Sequence, residues 1–221
     1  MKHHMVDIEV FVEPMFGENA LLITSSNQDG SRTGWVIDPS FQPHVDRLVE
    51  HARERDINIE KIILTHGHGD HIAGIDIVKA AFPDAELLIS AADEPMLRDS
   101  MRNLSAPFGV DVKIQAAVDQ HLEPGLELVL GATQWRVLDT SGHSPGGRSL
   151  YSAACGLVIV GDALFAGSIG RTDFPGANHQ QLIGNLRRNL LSLPGDTIVY
   201  SGHGPTTTIE NERKFNPFLA E

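Results

Sequence analysis

The chain has 221 residues, with 17 Lys and Arg against 29 Asp and Glu and a formal net charge of −12. That deficit of cations speaks against nucleic acid or an anionic membrane as partner, since both are bound through clustered positive charge. One cysteine, Cys155, excludes an internal disulfide framework, and no apolar stretch reaches the length of a membrane span.

In chain order, residues 6–12, 20–25 and 35–38 read as strands, with Gln28-Asp29-Gly30-Ser31 as a hairpin turn and Pro39 stopping the third strand. Val45, Leu48, Val49 and Ala52 recur at helical spacing and predict an amphipathic helix over 44–56. Residues 59–64 form a short apolar run and read as a buried strand, followed at once by Thr65-His66-Gly67-His68-Gly69-Asp70-His71. Ile75, Val78 and Phe82 mark a helix ended by Pro83; 86–90 is a strand, 91–104 a helix, and 105–109 a loop whose chain position puts it near the pocket. From 110 to 140 the pattern returns to strands with a Pro124-Gly125 turn, and the last of them, 135–139, leads into the loop holding His143. Strands over 149–152 and 157–160 follow, the second ending at Gly161-Asp162. A helix over 178–193 opens on an Asn178/Gln181 capping box, and strand 197–200 ends at Ser201-Gly202-His203-Gly204. Thr207 with Glu210 reads as a second capping box, opening a short final helix. No linker or repeat divides the chain, so 1–221 reads as one domain. The N-terminus lacks the apolar core of a signal peptide, which points to a cytoplasmic protein.

The unusual residue is histidine. Of 11, His66, His68, His71, His143 and His203 fall in three short Gly-flanked segments. His3, His4, His51 and His121 read as ordinary surface or core residues, and His44 and His179 as helix starts. Extended residues two apart point the same way, so His66 and His68 can converge on one ion. The turn into the following helix aims Asp70 and His71 at a second point. His143, Asp162 and His203, each at a strand end beside glycine, bring the donors to the number a two-metal site needs. Imidazole and carboxylate suit zinc, iron or manganese.

His66-Gly67-His68-Gly69-Asp70-His71, with His143, Asp162 and His203 in that order, resembles the metallo-β-lactamase superfamily over nearly the whole chain. The resemblance implies an α/β fold, a four-layer αββα sandwich with the metal site at the edge between the sheets. It implies two divalent ions, zinc foremost with iron or manganese as alternatives. His66, His68 and His143 would hold one, Asp70, His71 and His203 the other, and Asp162 would bridge them. Asp38 matches the family's early Asp and would support the ligands from behind; its other reading is an ordinary Asp-Pro turn.

Gly161-Asp162-Ala163-Leu164-Phe165, Gly167-Ser168-Ile169-Gly170-Arg171-Thr172-Asp173-Phe174 and Gly202-His203-Gly204-Pro205-Thr206 are similar to the glyoxalase II-like hydrolases. Those implied relatives split a small-molecule thioester such as S-D-lactoylglutathione with hydroxide generated at a dinuclear centre. Asp70 would be the proton acceptor. Long glyoxalase II enzymes hold glutathione with a basic C-terminal helical extension, and tend to have Tyr where Pro205 stands. This chain ends at Glu221, eighteen residues beyond His203. Arg171 is the remaining cation near the site, either binding a substrate carboxylate or pairing with Asp173.

Three alternatives stand beside this reading. A persulfide dioxygenase would use one iron at His66, His143 and Asp162, though Ile169 stands where those enzymes typically have Cys. A nuclease of the same fold would use the same ligands, against the charge of −12. A non-catalytic metal-binding protein would close its ligand shell, whereas this set leaves room for water.

Overall fold

The structure is a computed structural model describing residues 5–27 and 29–219. His3 and His4, expected to be ordinary histidines, and Gln28 of the expected hairpin turn lie outside the described residues.

The first sheet has six strands, β1 (Asp7–Val12), β2 (Asn19–Ser26), β3 (Arg32–Ile37), β4 (Ile57–Ile63), β5 (Glu86–Ile89) and β6 (Gln120–His121), in sequential order. Its first three strands form an antiparallel meander. From β3 to β6 the pairing is parallel. Parallel neighbours need a crossover: α1 (His44–Glu54) supplies the first and α3 (Ile75–Ala81), after the one-turn α2 (Gly69–Ile72), the second.

The second sheet contains β7 (Glu127–Leu130), β8 (Thr133–Asp139), β9 (Arg148–Ser152) and β10 (Leu157–Gly161). A small hairpin follows, β11 (Leu164–Phe165) with β12 (Ser168–Ile169), then α4 (His179–Asn185), β13 (Ile198–Ser201), β14 (Thr207–Thr208) and α5 (Ile209–Phe215). The sheet order is β14-β13-β10-β9-β8-β7, antiparallel throughout except that β13 lies parallel to β10, across α4.

Side-chain alternation builds the layers. In β2, Leu21 and Ile23 face the second sheet while Ala20 and Leu22 face α1 and α3, so the strand is apolar on both sides. Between the sheets, Trp35 and Trp135 meet with ring centres 6.0 Å apart and both are fully buried. Outside the first sheet, Val45, Leu48, Val49 and Ala52 of α1 and Ile75 and Val78 of α3 pack on Val36 and Ile62. Outside the second, Leu182, Leu186 and Leu190 cover Val158, Val160 and Val199. The result is the expected four-layer αββα sandwich. Cys155 is half-buried against the inter-sheet core.

The structure departs from the sequence expectations in four places. Residues 91–104 are not a helix: a 3-10 turn at Glu94–Arg98 is all that forms. Polar side chains there take over the backbone groups a helix would have used. Asp99 accepts from Met101 N and Arg102 N, and Asn103 donates to the carbonyls of Met96 and Val112.

Residues 110–119 are extended without a strand partner, because the Asp76 carboxylate takes the N–H groups of Gln115 and Ala116 and Arg98 donates to the carbonyl of Ala116. Strand pairing resumes only at β6. The predicted helix over 178–193 starts as expected, with Asn178 Oδ1 accepting from Gln181 N. It continues through Leu186–Leu190 with wider π-type winding, in which Leu191 N donates to the carbonyl of Leu186. The last helix is capped by Thr208, whose Oγ1 accepts from Asn211 N, rather than Thr207, whose hydroxyl donates to Glu212 Oε1.

Candidate metal centre

The strands β3, β4, β8, β10 and β13 all end at one rim of the sandwich, and each delivers a polar residue there. Asp38 follows β3, the His66-to-His71 loop follows β4, His143 follows β8, Asp162 follows β10 and His203 follows β13. Two trios of donor atoms come together. His66, His68 and His143 have ligand atoms within 4.8 Å of one another, and so do Asp70, His71 and His203. In the first trio, His143 Nε2 lies 2.9 Å from His68 Nδ1. In the second, His203 Nε2 lies 3.3 Å and His71 Nε2 3.8 Å from Asp70 Oδ2.

Asp162 stands between the trios. Its Oδ2 is 3.6 Å from both His143 Nε2 and His203 Nε2, and its Oδ1 is 3.4 Å from His71 Nε2. Glycine makes this approach possible: a Cβ on Gly202 would collide with Asp162 Oδ1 and lie 2.7 Å from His71 Cε1.

The ring nitrogens facing away from this centre are fixed by the protein, which sets each tautomer and orientation. His71 Nδ1 donates to Asp38 Oδ2 at 3.0 Å, His143 Nδ1 to the carbonyl of Arg171 at 2.8 Å, and His203 Nδ1 to the carbonyl of Phe16 at 3.1 Å. Asp38, in the left-handed region at φ 49°, also accepts from Thr65 N and Thr65 Oγ1. A third trio of Asp38, His66 and His71 is also close enough to hold an ion. The oxygens of Asp38 are already engaged by Thr65 and His71, so they serve as support for the loop.

The donors facing inward have no such partners. His66 Nε2, His71 Nε2 and Asp162 Oδ1 are buried and accept or donate no hydrogen bond. Buried polar atoms are almost always satisfied, so these define a place for a cation. Nitrogen and carboxylate donors with no thiolate suit a borderline or hard divalent metal.

The electrostatics differ between the two trios. Burial, with His71 and His68 adjacent, pushes the His66 imidazole well below its ordinary range, and burial with His143 pushes His68 down to about 3. Both are therefore neutral, as ligands must be. Burial works against charge on His71, but Asp162 and Asp70 outweigh it and raise its pKa well above normal. Burial likewise opposes ionisation of Asp162, and the same His71 overcomes it and holds the carboxylate charged.

Several residues around the centre carried no sequence signal. Asp93, fully buried, accepts from Gly67 N, Ser144 Oγ and Gly146 N, and so ties both ligand-bearing loops together. Asn19 clasps the His203 loop through the carbonyls of Ser201 and Gly204. Glu18 is fully buried with Oε1 3.7 Å from His71 Nδ1, and burial raises its carboxyl well above normal.

Above the donors opens a cavity of about 310 Å³ whose lining includes Phe16, Phe41, Phe108, Phe165 and Phe174, together with Asp70, His203 and Arg171. The loop expected near the pocket contributes Ser105 and Phe108 to it. Arg171 is there, but its guanidinium makes two bonds to Asp173, of 2.8 and 2.7 Å, and lies over the Phe174 ring. Among the described residues the remaining histidines sit elsewhere: His51 binds Glu9, His121 binds Glu94, and His44 and His179 begin α1 and α4.

A four-layer sandwich with a three-histidine trio and an Asp–His–His trio meeting at its rim defines a class of metal-dependent enzymes. The chain belongs to the metallo-β-lactamase superfamily, whose family model matches residues 15–203.

Among curated proteins it is 37% identical over 185 residues to a probable metallo-hydrolase, YqgX of Bacillus subtilis, covering 83% of this chain and 86% of that one. It is 33% identical over 216 residues to the hydroxyacylglutathione hydrolase GloC of Haemophilus influenzae, covering 97% and 98%. Among solved structures it resembles the B3 metallo-β-lactamase BLEG-1, with a TM-score of 0.88 and 32% identity over 98% of this chain and all of that one. A di-iron-bound form of TTHA1623 matches with a TM-score of 0.82 and 33% identity, covering 96% of this chain and 100% of that one. The glyoxalase II-like relationship inferred from the motifs is thereby borne out, and the chain is of the metallo-hydrolase type.

Proposed function

We propose that the protein hydrolyses thioesters such as S-D-lactoylglutathione at a centre of two divalent ions, zinc foremost and iron or manganese as alternatives. The observation that carries this reading is the meeting of two donor trios across Asp162, with buried donor atoms that nothing in the protein satisfies. The likeness to GloC supports the thioester, and the di-iron neighbour supports a pair of ions.

His66, His68 and His143 would hold one ion, Asp70, His71 and His203 the other, and Asp162 both. Ions so held supply a water of lowered pKa and a positive field for a carbonyl oxygen. The protein supplies the rest. Asp38, and the carbonyls of Arg171 and Phe16, hold the imidazoles in place. The aromatic cavity walls limit bulk water. Asp70 faces the cavity, kept ionised against the effect of burial by His71 and a hydrogen bond from His203, and receives the proton given up by the attacking water. In the net reaction a C–O bond from water replaces the C–S bond. The thiolate leaves with the electron pair and needs no strong acid, because it is a good leaving group. The proposal includes a cytoplasmic location, in keeping with the unpaired Cys155.

The test is thioester loss from S-D-lactoylglutathione by metal-loaded and chelator-stripped protein side by side. Metal-dependent hydrolysis is expected. A fully loaded sample that leaves this thioester intact rejects it as substrate. A β-lactam run alongside distinguishes the activity named for BLEG-1, and oxygen uptake with glutathione persulfide distinguishes the single-iron alternative.

A further inference from the structure

The cavity over the donors is chemically lopsided. Beside His203, Phe16 and Phe41 stack with ring centres 5.6 Å apart, and Phe108 meets Phe16 edge-on at 5.7 Å. Phe165 adds a further ring 6.1 Å from His203. These rings give the cavity an apolar wall on the side of the Asp70–His71–His203 trio, and the polar groups of Asn103 and Ser105, which also line it, are engaged with backbone groups. On the other side, Phe174 lies 5.7 Å from His68 and 6.3 Å from His143, and beyond it comes the exposed Arg171–Asp173 pair. Arg171 is the one Lys or Arg among the described residues lining the cavity, and its charge is already matched by Asp173.

An aromatic wall gains affinity from apolar area removed from water and gives nothing to a hydroxyl or carboxylate. Resting on the thioester reading above, we propose that the acyl half of the preferred substrate is apolar, an aryl or medium-chain alkyl group seated on Phe16, Phe41 and Phe108. The thiol carrier leaves the cavity past Phe174 toward the polar Arg171–Asp173 edge. The small hydroxylated lactoyl group is then a poor match for the wall, accepted but not preferred.

The experiment compares kcat/KM of the metal-loaded enzyme for acetyl, D-lactoyl, butanoyl, hexanoyl and phenylacetyl thioesters of one small neutral thiol, N-acetylcysteamine. A shared carrier isolates the acyl contribution. The expected result is a rise of about twofold to fourfold per added methylene, with hexanoyl and phenylacetyl above lactoyl. Phe108 is 59% exposed, so Phe108→Ala leaves the core intact and is expected to shrink the hexanoyl-to-acetyl ratio several-fold. Phe16→Leu, which keeps apolar volume but loses the stack, gives a smaller reduction in the phenylacetyl ratio. A flat series, or one in which lactoyl leads, overturns this inference while leaving the thioesterase reading standing. Failure of the loaded enzyme to open any member of the series overturns the reading itself.

Discussion

Asp38 shows how much of this centre depends on residues that need touch no metal. One carboxylate accepts from the Thr65 backbone, the Thr65 hydroxyl and His71 Nδ1. It thus fixes the start of the ligand loop and the tautomer of one ligand together. Asp38→Ala frees His71 to rotate and also releases Thr65, whose hydroxyl lies 3.1 Å from His66 Nδ1, while His143 keeps its own contact with the Arg171 carbonyl. Losses of this kind weaken metal binding by roughly 10–100-fold. Metal titration of the variant should therefore show the ion at His71 weakened by that factor and the other weakened less, through the released loop; equal weakening of both would contradict the assignment of His71 to its own trio.

The clustering of these donors was legible in the sequence because its signal is local: four donors within six residues, and three more beside glycine at strand ends. The cavity walls were not, because Phe16, Phe41, Phe108, Phe165 and Phe174 lie on separate loops with no shared period. Nothing but the fold brings them together.

Among elements, the stretch between β5 and β6 repays the closest attention, and it is the one the sequence described least well. Its apolar residues Met96, Leu97, Val112 and Ile114 are buried as a helix or strand would bury them. Its backbone, however, is satisfied by side chains from far along the chain, such as Asp76, which no window of sequence reveals. The longer strands, such as β1 to β4 and β8 to β10, and α1, by contrast, were legible to within a few residues because their periodicity and their packing coincide.

Asp93 at the head of this stretch joins the His66-to-His71 loop to the His143 loop. Asp93→Ala would leave the buried N–H groups of Gly67 and Gly146 without acceptors, a loss of about 1–3 kcal/mol for each. Denaturant melts of the metal-free variant should show destabilisation of about 2–6 kcal/mol, and a change under about 1 kcal/mol would mean that water replaces the carboxylate freely.

For the molecule as a whole, removal of the ions leaves a set of histidines whose titration governs stability. His66 and His68 are depressed below the ordinary histidine value of 6.5, so between 6.5 and about 3 for His68 the unfolded chain takes up protons the folded one refuses. Stability falls as pH drops through that window, and Asp162, depressed likewise, adds to the loss at more acid pH. His71 and His203 are raised, so the stability they give is fully present below 6.5 and is lost as pH rises through their folded values. Chelated protein should therefore melt highest near pH 6.5, with Tm declining on both sides. A Tm that climbs steadily from pH 5 to 8 would contradict these charge assignments.

Restoring metal should raise Tm at every pH where the histidines can be deprotonated, by about 4 kcal/mol of added stability at a thousandfold excess over Kd. An unchanged Tm on loading would mean that the ions do not bind across the two sheets.

The distribution of donors between the sheets has a consequence for biosynthesis. The strands β1 to β6 carry Asp38 and the His66-to-His71 loop, while His143, Asp162 and His203 arrive only with β8, β10 and β13. A nascent chain that has completed its first sheet offers an ion one crowded loop and no bridging carboxylate. The centre can close only once β13 has emerged from the ribosome, so loading is a late step in maturation, and a chain stalled before His203 would remain metal-poor and open to proteolysis.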